Sequence, residues 1–532
     1  GRPKWMEGAR YWLQYTGFPD SIYNPNKDAN DYKDDLQCRG LWVNYLSGGS
    51  RANPDQPGLG IQIDACMALH TDGFTAEKDD EYIGTLVIYT DHDDQNRKKF
   101  PTGTSRIINR DFADYVQTQV VNDIRQQYAP TWTRRELNNS AYCESRYPVV
   151  PSILLEVLSH KNIADIQCGL DPNFQMLYSR AIYKGLGRWL QGDDFVVQPL
   201  PVHGLNCFVQ DSTCHLRWKE TPDTLEPSAK ADSYLVHIQT SHSTRAMRAK
   251  DSTVVTKKTE YSFPCKKGYI YSIHVEACNK GGKSLPSAPV MAYTTSSDTR
   301  KQLMINNFRT TCGPKWFVDE ERAGIVPGSY AIPYGISRAY LGDQWIFEKQ
   351  RKVKDNGWVD DDNCGWGMCH MDYVGKELIG NDPTRILKQA QDTAKLHHNI
   401  ILTNADGLSL EDTTHYDQLY IYCGQERGTL YTSSVKALIE STIAHGGDII
   451  IEGRFLGSGI TDAAEKKWAE KTLGYSLKAP NATQELGGLK TNAPDAISPT
   501  LGGKITKRFA DTGLPSEIRT KRGNSTITII SK

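Results

Sequence analysis

The pattern of apolar and polar positions changes twice along the chain and divides it into three textures. From residue 1 to about 198, helical and strand periods alternate. WMEGARYWLQYTG (5–17) has helical spacing and closes at Gly17, while LGIQIDACMALH (59–70) and IGTLVIYT (83–90) read as strands. A long amphipathic helix follows over 105–128, with Ile107, Phe112, Tyr115, Val116 and Val120 expected on its buried face. VPSILLEVL (150–158) reads as a buried strand and 173–190 as a last helix. This alternation predicts an α/β layer fold over 1–198.

From about 199 to 298 the helical period disappears. CHLRWKE (214–220), SYLVHIQTS (233–241), EYSFPC (260–265) and the stretch from Tyr269 are short strands parted by turn residues, which predicts a β-sandwich. Residues 299–532 open on an aromatic, glycine-rich stretch and turn α/β again from Asp382. There NIILTNAD (399–406), DQLYIYCG (417–424) and DIIIEG (448–453) are buried strands, with a glycine-ended helix over 433–447 between the last two. A β-α-β crossover in a parallel sheet follows, in a flavodoxin-like or glutamine-amidotransferase-like layout.

Composition narrows the classes. The chain has 532 residues, too many for one core. Its 62 Lys and Arg nearly balance 63 Asp and Glu, with no long basic block, so a nucleic-acid partner has no electrostatic footprint. The longest apolar stretch, Val149 to Leu158, is too short to span a bilayer. Twelve cysteines do not make a disulfide scaffold at this length. Gly1 in place of Met reads as a processing boundary, with sequence expected upstream.

The chemistry centres on a few residues. His70 ends an apolar run and is followed at once by Asp72 and Gly73. A strand that stops in a polar turn explains that by itself. Glu156, inside an otherwise apolar strand, is harder to explain, because an unpaired buried carboxylate is costly unless protonated, hydrogen-bonded or near a metal. Glu7 opens the first helix, where the helix dipole also favours a merely solvated glutamate. Two other groups are set aside. Asp360 to Asp362 with Cys364, Cys369 and His370 read as a solvated acidic turn, and Cys423 as a buried structural cysteine.

The succession of a helix-borne Glu7 in WMEGARYWL, a strand-end His70 in ALHTDGF and Glu156 in VPSILLEVLSHKN resembles the zinc-dependent N-acetylmuramoyl-L-alanine amidases of the Amidase_3 type over roughly residues 1–190. Arg39 in DDLQCRGLWVNYL fits a helix of that family. The resemblance implies a zinc ion held by Glu7 and His70 and by a first histidine absent before His70, so a strand and loop carrying it are expected upstream. It implies Glu156 as general acid/base, with Asp72 or a backbone carbonyl orienting an imidazole, and His160 reads as a loop residue shaping the cleft. Gly73 stands where the family has alanine.

The middle segment resembles a fibronectin type III module through Trp218, Tyr271, Val275, Ala277, Asn279, Gly281 and Ser284, and departs from it in Cys207, Cys214, Cys265 and Cys278. The three-part order resembles multidomain proteins of Bacteroidota, some labelled xanthan lyase. Neither the helical toroid nor the β-helix of a polysaccharide lyase is visible here.

The expectation is therefore a secreted, periplasmic or cell-surface zinc hydrolase of peptidoglycan amide bonds. Its domains are an amidase-like one over 1–198, a fibronectin type III-like spacer over 199–298 and an α/β domain over 299–532, with protein partners engaged through 199–532. Its rival is a degenerate amidase fold that binds cell-surface glycan or protein partners without catalysis.

Overall fold

The computed structural model describes residues 8–310 except 79, 170, 244–248 and 297–299. Beyond these it describes 312, 316–318, 323–325, 381–409, 415–426, 429–453, 456, 460, 462–477, 489–491 and 516–531. They fall into two compact units, 8–195 and 196–531. The chain is a multidomain protein of mixed α/β and sheet-rich parts.

The first unit begins with helices α1 (Ala9–Tyr15), α2 (Asp20–Tyr23) and α3 (Asp31–Ser47), then β1 (Cys66–Asp72), β2 (Leu86–Tyr89), α4 (Ile108–Gln127), β3 (Asn138–Asn139), α5 (Cys143–Arg146), β4 (Ser152–Ser159), α6 (Ile163–Gly169) and α7 (Pro172–Gln191). Local sequence sets many of these ends. Gly17 takes a φ of +84° just past α1, Asn30 caps α3 through the Lys33 amide, and Asp171 caps α7 ahead of Pro172. The sheet order is β1-β4-β2-β3, with β1 parallel and β2 antiparallel to β4.

Two expectations shift. Strand β1 starts only at Cys66, because the residues before it bond to the end of α3 instead. Leu59, Gly60 and Ile61 donate to the carbonyls of Tyr45, Gly48 and Leu46 at 3.0, 2.7 and 2.9 Å. On α4, Phe112, Val116 and Val120 are buried, but Ile107 and Tyr115 are half exposed. The buried stripe runs through Asn109, Ala113, Val116, Val120 and Ile124, and Tyr115 sits about 100° round the helix from Val116.

The second unit opens with a sandwich. β5 (His203–Gln210), β6 (Thr213–Lys219) and β9 (Glu260–Pro264) form one sheet. The facing strands are β7 (Ser233–His242), β8 (Lys250–Thr256), β10 (Tyr269–Asn279), with β11 (Gly282–Lys283) at its end, and β12 (Val290–Tyr293). Trp218, Val236, Ile273 and Val275 fill the space between.

The second of these sheets does not end at β12. β13 (Lys301–Asn306) is followed by a hairpin, β14 (Trp316–Val318) with β15 (Ala323–Ile325), and then by α8 (Pro383–Lys395), β16 (Asn399–Asn404), β17 (Gln418–Gly424), α9 (Ser433–Ala444), β18 (Asp448–Gly453) and α10 (Ala463–Thr472). A second hairpin, β19 (Tyr475–Leu477) with β20 (Leu489–Thr491), precedes β21 (Ser516–Arg522) and β22 (Ser525–Ser531). Strands β16, β13, β17, β18 and β22 lie side by side and parallel, with β21 antiparallel to β22 at the outer edge. β12 pairs antiparallel with β16, so the sandwich sheet and the parallel sheet are continuous. Helix α8 lays Ile386, Ala390 and Ala394 against Met291 and Tyr293 of β12 and Ile400 and Leu402 of β16, closing one core over both.

Candidate active site

Strand β4 is buried at seven of its eight positions, and the exception is Glu156. In the parallel pairing of β1 with β4, His70 stands directly opposite Glu156, which puts both side chains on one face of the sheet. The register slips by one residue immediately after His70, so that Asp72 comes opposite Ser159. A bulge at this place re-aims the end of β1.

Around this pair the structure assembles a polar cluster. His70 Nε2 lies 3.3 Å from Glu144 Oε1, and the same carboxylate accepts from Arg39 Nη1 at 2.7 Å. Arg39 also pairs with Asp35 at 2.6 Å, one turn away on α3. Burial works against charge on Glu144, but its hydrogen bonds with His70 and Arg39 outweigh that and hold its carboxyl below the usual range. Glu156 is the reverse case. Burial lifts its pKa, opposed by the nearness of His70, and its Oε2 is buried with no hydrogen-bond partner among the described residues.

Asp72 faces the Arg135 guanidinium and the Phe74 amide, at 2.6 Å from the latter, rather than an imidazole. Arg135 also lies over the Phe74 ring, 5.0 Å from its centre. His160 sits on the loop after β4, where its Nδ1 meets Thr71 Oγ1 at 3.1 Å. That loop is fixed by the buried Asp165, whose carboxylate accepts from the amides of Ile83, Gly84 and Ser159 at 3.0, 3.0 and 2.9 Å. Beside the cluster lies an apolar cavity of about 260 Å³, walled by Trp12, Leu13, Trp42 and Met67, with Arg39 and Glu144 at one side.

Of the residues singled out in the sequence, His70, Glu156 and Arg39 come together, and Asp72 and His160 border them. Glu7 lies outside the described residues, as do Asp360, Asp361, Asp362, Cys364, Cys369 and His370. Cys423 is buried, its thiol pushed up to about 12 by burial, and it accepts from Asn307 Nδ2 at 3.3 Å. Sequence reasoning missed Glu144 and Arg135. Arg135 lies in irregular chain between α4 and β4 and Glu144 on the four-residue helix α5, too short for a period to mark a face; the nearest signal is the clustering of charge in TRRELNNSAYCESRYP just before the strand that carries Glu156.

The donors present suit a metal in kind. A neutral imidazole nitrogen and a carboxylate oxygen are ligands zinc takes, and an orphaned buried carboxylate beside them is where a water or metal-bound group would be expected. Among the described residues, no three His, Cys, Asp or Glu side chains are grouped to hold a metal. His70 and Glu144 supply one nitrogen and one oxygen of those kinds, 3.3 Å apart.

No family model and no curated protein matches the chain. Among solved structures, one segment is similar to the N-acetylmuramoyl-L-alanine amidase AmiC2 of Nostoc punctiforme, at 19% identity over 24% of this chain and 58% of that one, with a TM-score of 0.19. Another is similar to the third fibronectin III domain of the human KIAA0343 protein, at 18% identity over 20% of this chain and 90% of that one, TM-score 0.16. A third likeness is to the twitchin kinase region of C. elegans, at 19% identity over 23% of this chain and 19% of that one, TM-score 0.17. The chain spans less than two thirds of the amidase and about a fifth of the twitchin region.

Proposed function

We propose that the first unit is a zinc-dependent hydrolase of the N-acetylmuramoyl-L-alanine amidase type, acting on peptidoglycan amide bonds in the periplasm or at the cell surface. The observation that carries this reading is Glu156, a carboxylate kept on a buried strand, opposite His70, with one oxygen left unpartnered. Such an arrangement is unfavourable for folding and useful for proton transfer.

His70 and Glu144 would hold the zinc ion from within the described residues, and Glu7 from outside them. Zinc held there would supply a bound water of lowered pKa and a Lewis acid to polarise an amide carbonyl. The protein's own part is proton handling and orientation. With its pKa lifted by burial, Glu156 is suited to take a proton from an attacking water and return it to the leaving amine. Arg39 keeps Glu144 charged and fixes its direction toward His70. Arg135 neutralises Asp72, so that this second carboxylate adds less to the negative charge around Glu156.

The test is the full chain incubated with zinc and insoluble peptidoglycan, following release of free amino termini on the stem peptides. Release by the wild type, with loss in Glu156→Gln, is the expected result. No release despite bound zinc would move the reading to a glycan- or protein-binding role.

A further inference from the structure

The sandwich holds a feature that the hydrolase reading leaves unused: three buried thiols in one core. Cys207 lies on β5 and Cys214 on β6, and Cys265 follows β9; they are 2%, 0% and 6% exposed. A two-residue turn joins β5 to β6, with Asp211 and Ser212 both left-handed at φ of 47° and 59°. Such a turn matches the twist of the two strands and fixes their register. Val209 therefore faces Cys214, and Cys207 comes diagonally beside it with the two sulfurs 3.4 Å apart. Cys265 donates its amide to the Ser212 carbonyl at 2.8 Å, which brings the third thiol to the same end of the hairpin.

We infer that Cys207 and Cys214 are a redox modification site, a thiol pair that closes to a cystine across the β5–β6 hairpin in the presence of a small-molecule disulfide such as oxidised glutathione. In the first step one cysteine thiolate attacks a sulfur of the oxidant. A mixed disulfide forms and one molecule of reduced thiol leaves. In the second the other cysteine displaces the remaining thiol from the mixed disulfide, so that one S–S bond of the oxidant is exchanged for one in the protein. The two cysteine protons end on the two released thiols.

The surroundings set the timing. Hydrogen bonding with Cys207, and burial after it, hold the Cys214 thiol well above its usual range, and hydrogen bonding with Cys214 together with burial does the same for Cys265. Thiolate at Cys214 and Cys265 is therefore scarce in the finished core, where all three sulfurs are also shut off from a bulky oxidant, and exchange is fast only while the hairpin is still open to solvent. The position also matters. The Cys207 amide donates to Thr403 Oγ1 at 3.4 Å and the neighbouring Asn206 side chain to the Gly407 carbonyl at 2.9 Å, so the hairpin that the bond would lock is the one seated against β16 and the turn after it.

The experiment refolds the full chain in oxidised glutathione and, separately, in excess reductant, then alkylates it in denaturant and digests it with trypsin. No Lys or Arg lies between Trp189 and Arg217, so Cys207 and Cys214 fall on one peptide, and Cys265 falls on the peptide 259–266. The expected result is that the 189–217 peptide from the oxidised sample carries no alkyl group and has lost two hydrogens, while its reduced counterpart is alkylated twice and Cys265 is alkylated in both. Cys265→Ala should leave this pattern unchanged. Double alkylation of 189–217 in the oxidised sample, a cross-link between 189–217 and 259–266, or loss of the pair in Cys265→Ala would each overturn the assignment.

Discussion

His70 and Glu156 stand directly opposite one another on neighbouring parallel strands, so a basic and an acidic side chain share one face at the carboxyl-terminal end of β1. No sequence spacing imposes this, since 86 positions separate them (156 − 70) and the pairing depends on β4 inserting between β1 and β2. The arrangement leads to three predictions, and the continuous sheet of the second unit to a fourth.

The first concerns chemistry. Replacing Glu156 by Gln keeps shape and removes the proton acceptor, so hydrolysis of peptidoglycan should fall by about 10²–10⁴-fold, the usual worth of a general acid/base. Bound zinc, measured by elemental analysis, should stay within about twofold of wild type, because Glu156 is not among the proposed ligands. His70→Ala should lose both. Retained activity in Glu156→Gln would leave the glutamate with a structural role only.

The same substitution tests the electrostatics. Glu156 has a raised pKa in the folded state, so the folded form holds its proton more tightly than the unfolded one, and ionisation disfavours folding as pH rises from the unfolded value of 4.5 through the folded one. Without added metal, Glu156→Gln should therefore melt higher than wild type at pH 7. The gap should shrink below pH 4.5. Thermal melting of both proteins across pH 4–8 reads this directly; a lower melting temperature for the variant at neutral pH would contradict it.

Glu144 carries the opposite sign. Its folded pKa is depressed, so its contribution to stability is present above the unfolded value of 4.5 and is lost as pH falls through the folded one. Arg39→Ala removes one of the two partners that hold Glu144 charged. The variant should lose about 1–2 kcal/mol at pH 7, a charged hydrogen bond discounted for the partial exposure of Arg39. It should also lose less stability than wild type on acidification from pH 5 to pH 3. Denaturant melts at pH 7, 5 and 3 provide the check.

The last prediction concerns the continuous sheet. Met291 is fully buried on β12, next to Leu402 of β16 and under α8. Met291→Ala should cost about 2–5 kcal/mol. The loss should appear in both parts of the second unit, as earlier hydrogen exchange at β7 and β10 and equally at β16 and β13. Exchange that quickened only in the sandwich would mean that the two parts open independently despite the shared pairing.

The sequence by itself determined the long, strongly patterned elements of this protein, because their information is local. Hydrophobic period placed α4, α7, β4, β17, α9 and β18 close to where they stand, and Gly17 and the glycines after α9 marked helix ends, since both signals act on their own backbone neighbourhood. Glu156 was legible for the same reason, as one charge in a run of buried apolar residues. Only the tertiary structure decided what gathers around it. Glu144 reaches the cluster from the short helix α5 and Arg135 from irregular chain, Asp72 turns to Arg135 because the register slips after His70, and residues 59–61 leave β1 to satisfy the carbonyls at the end of α3. The pairing of β12 with β16 belongs to the same class. Each strand shows where it runs by its own alternation, but backbone hydrogen bonds carry no residue code, so which edge receives which strand is settled only when the apolar faces of both sheets and α8 are buried together.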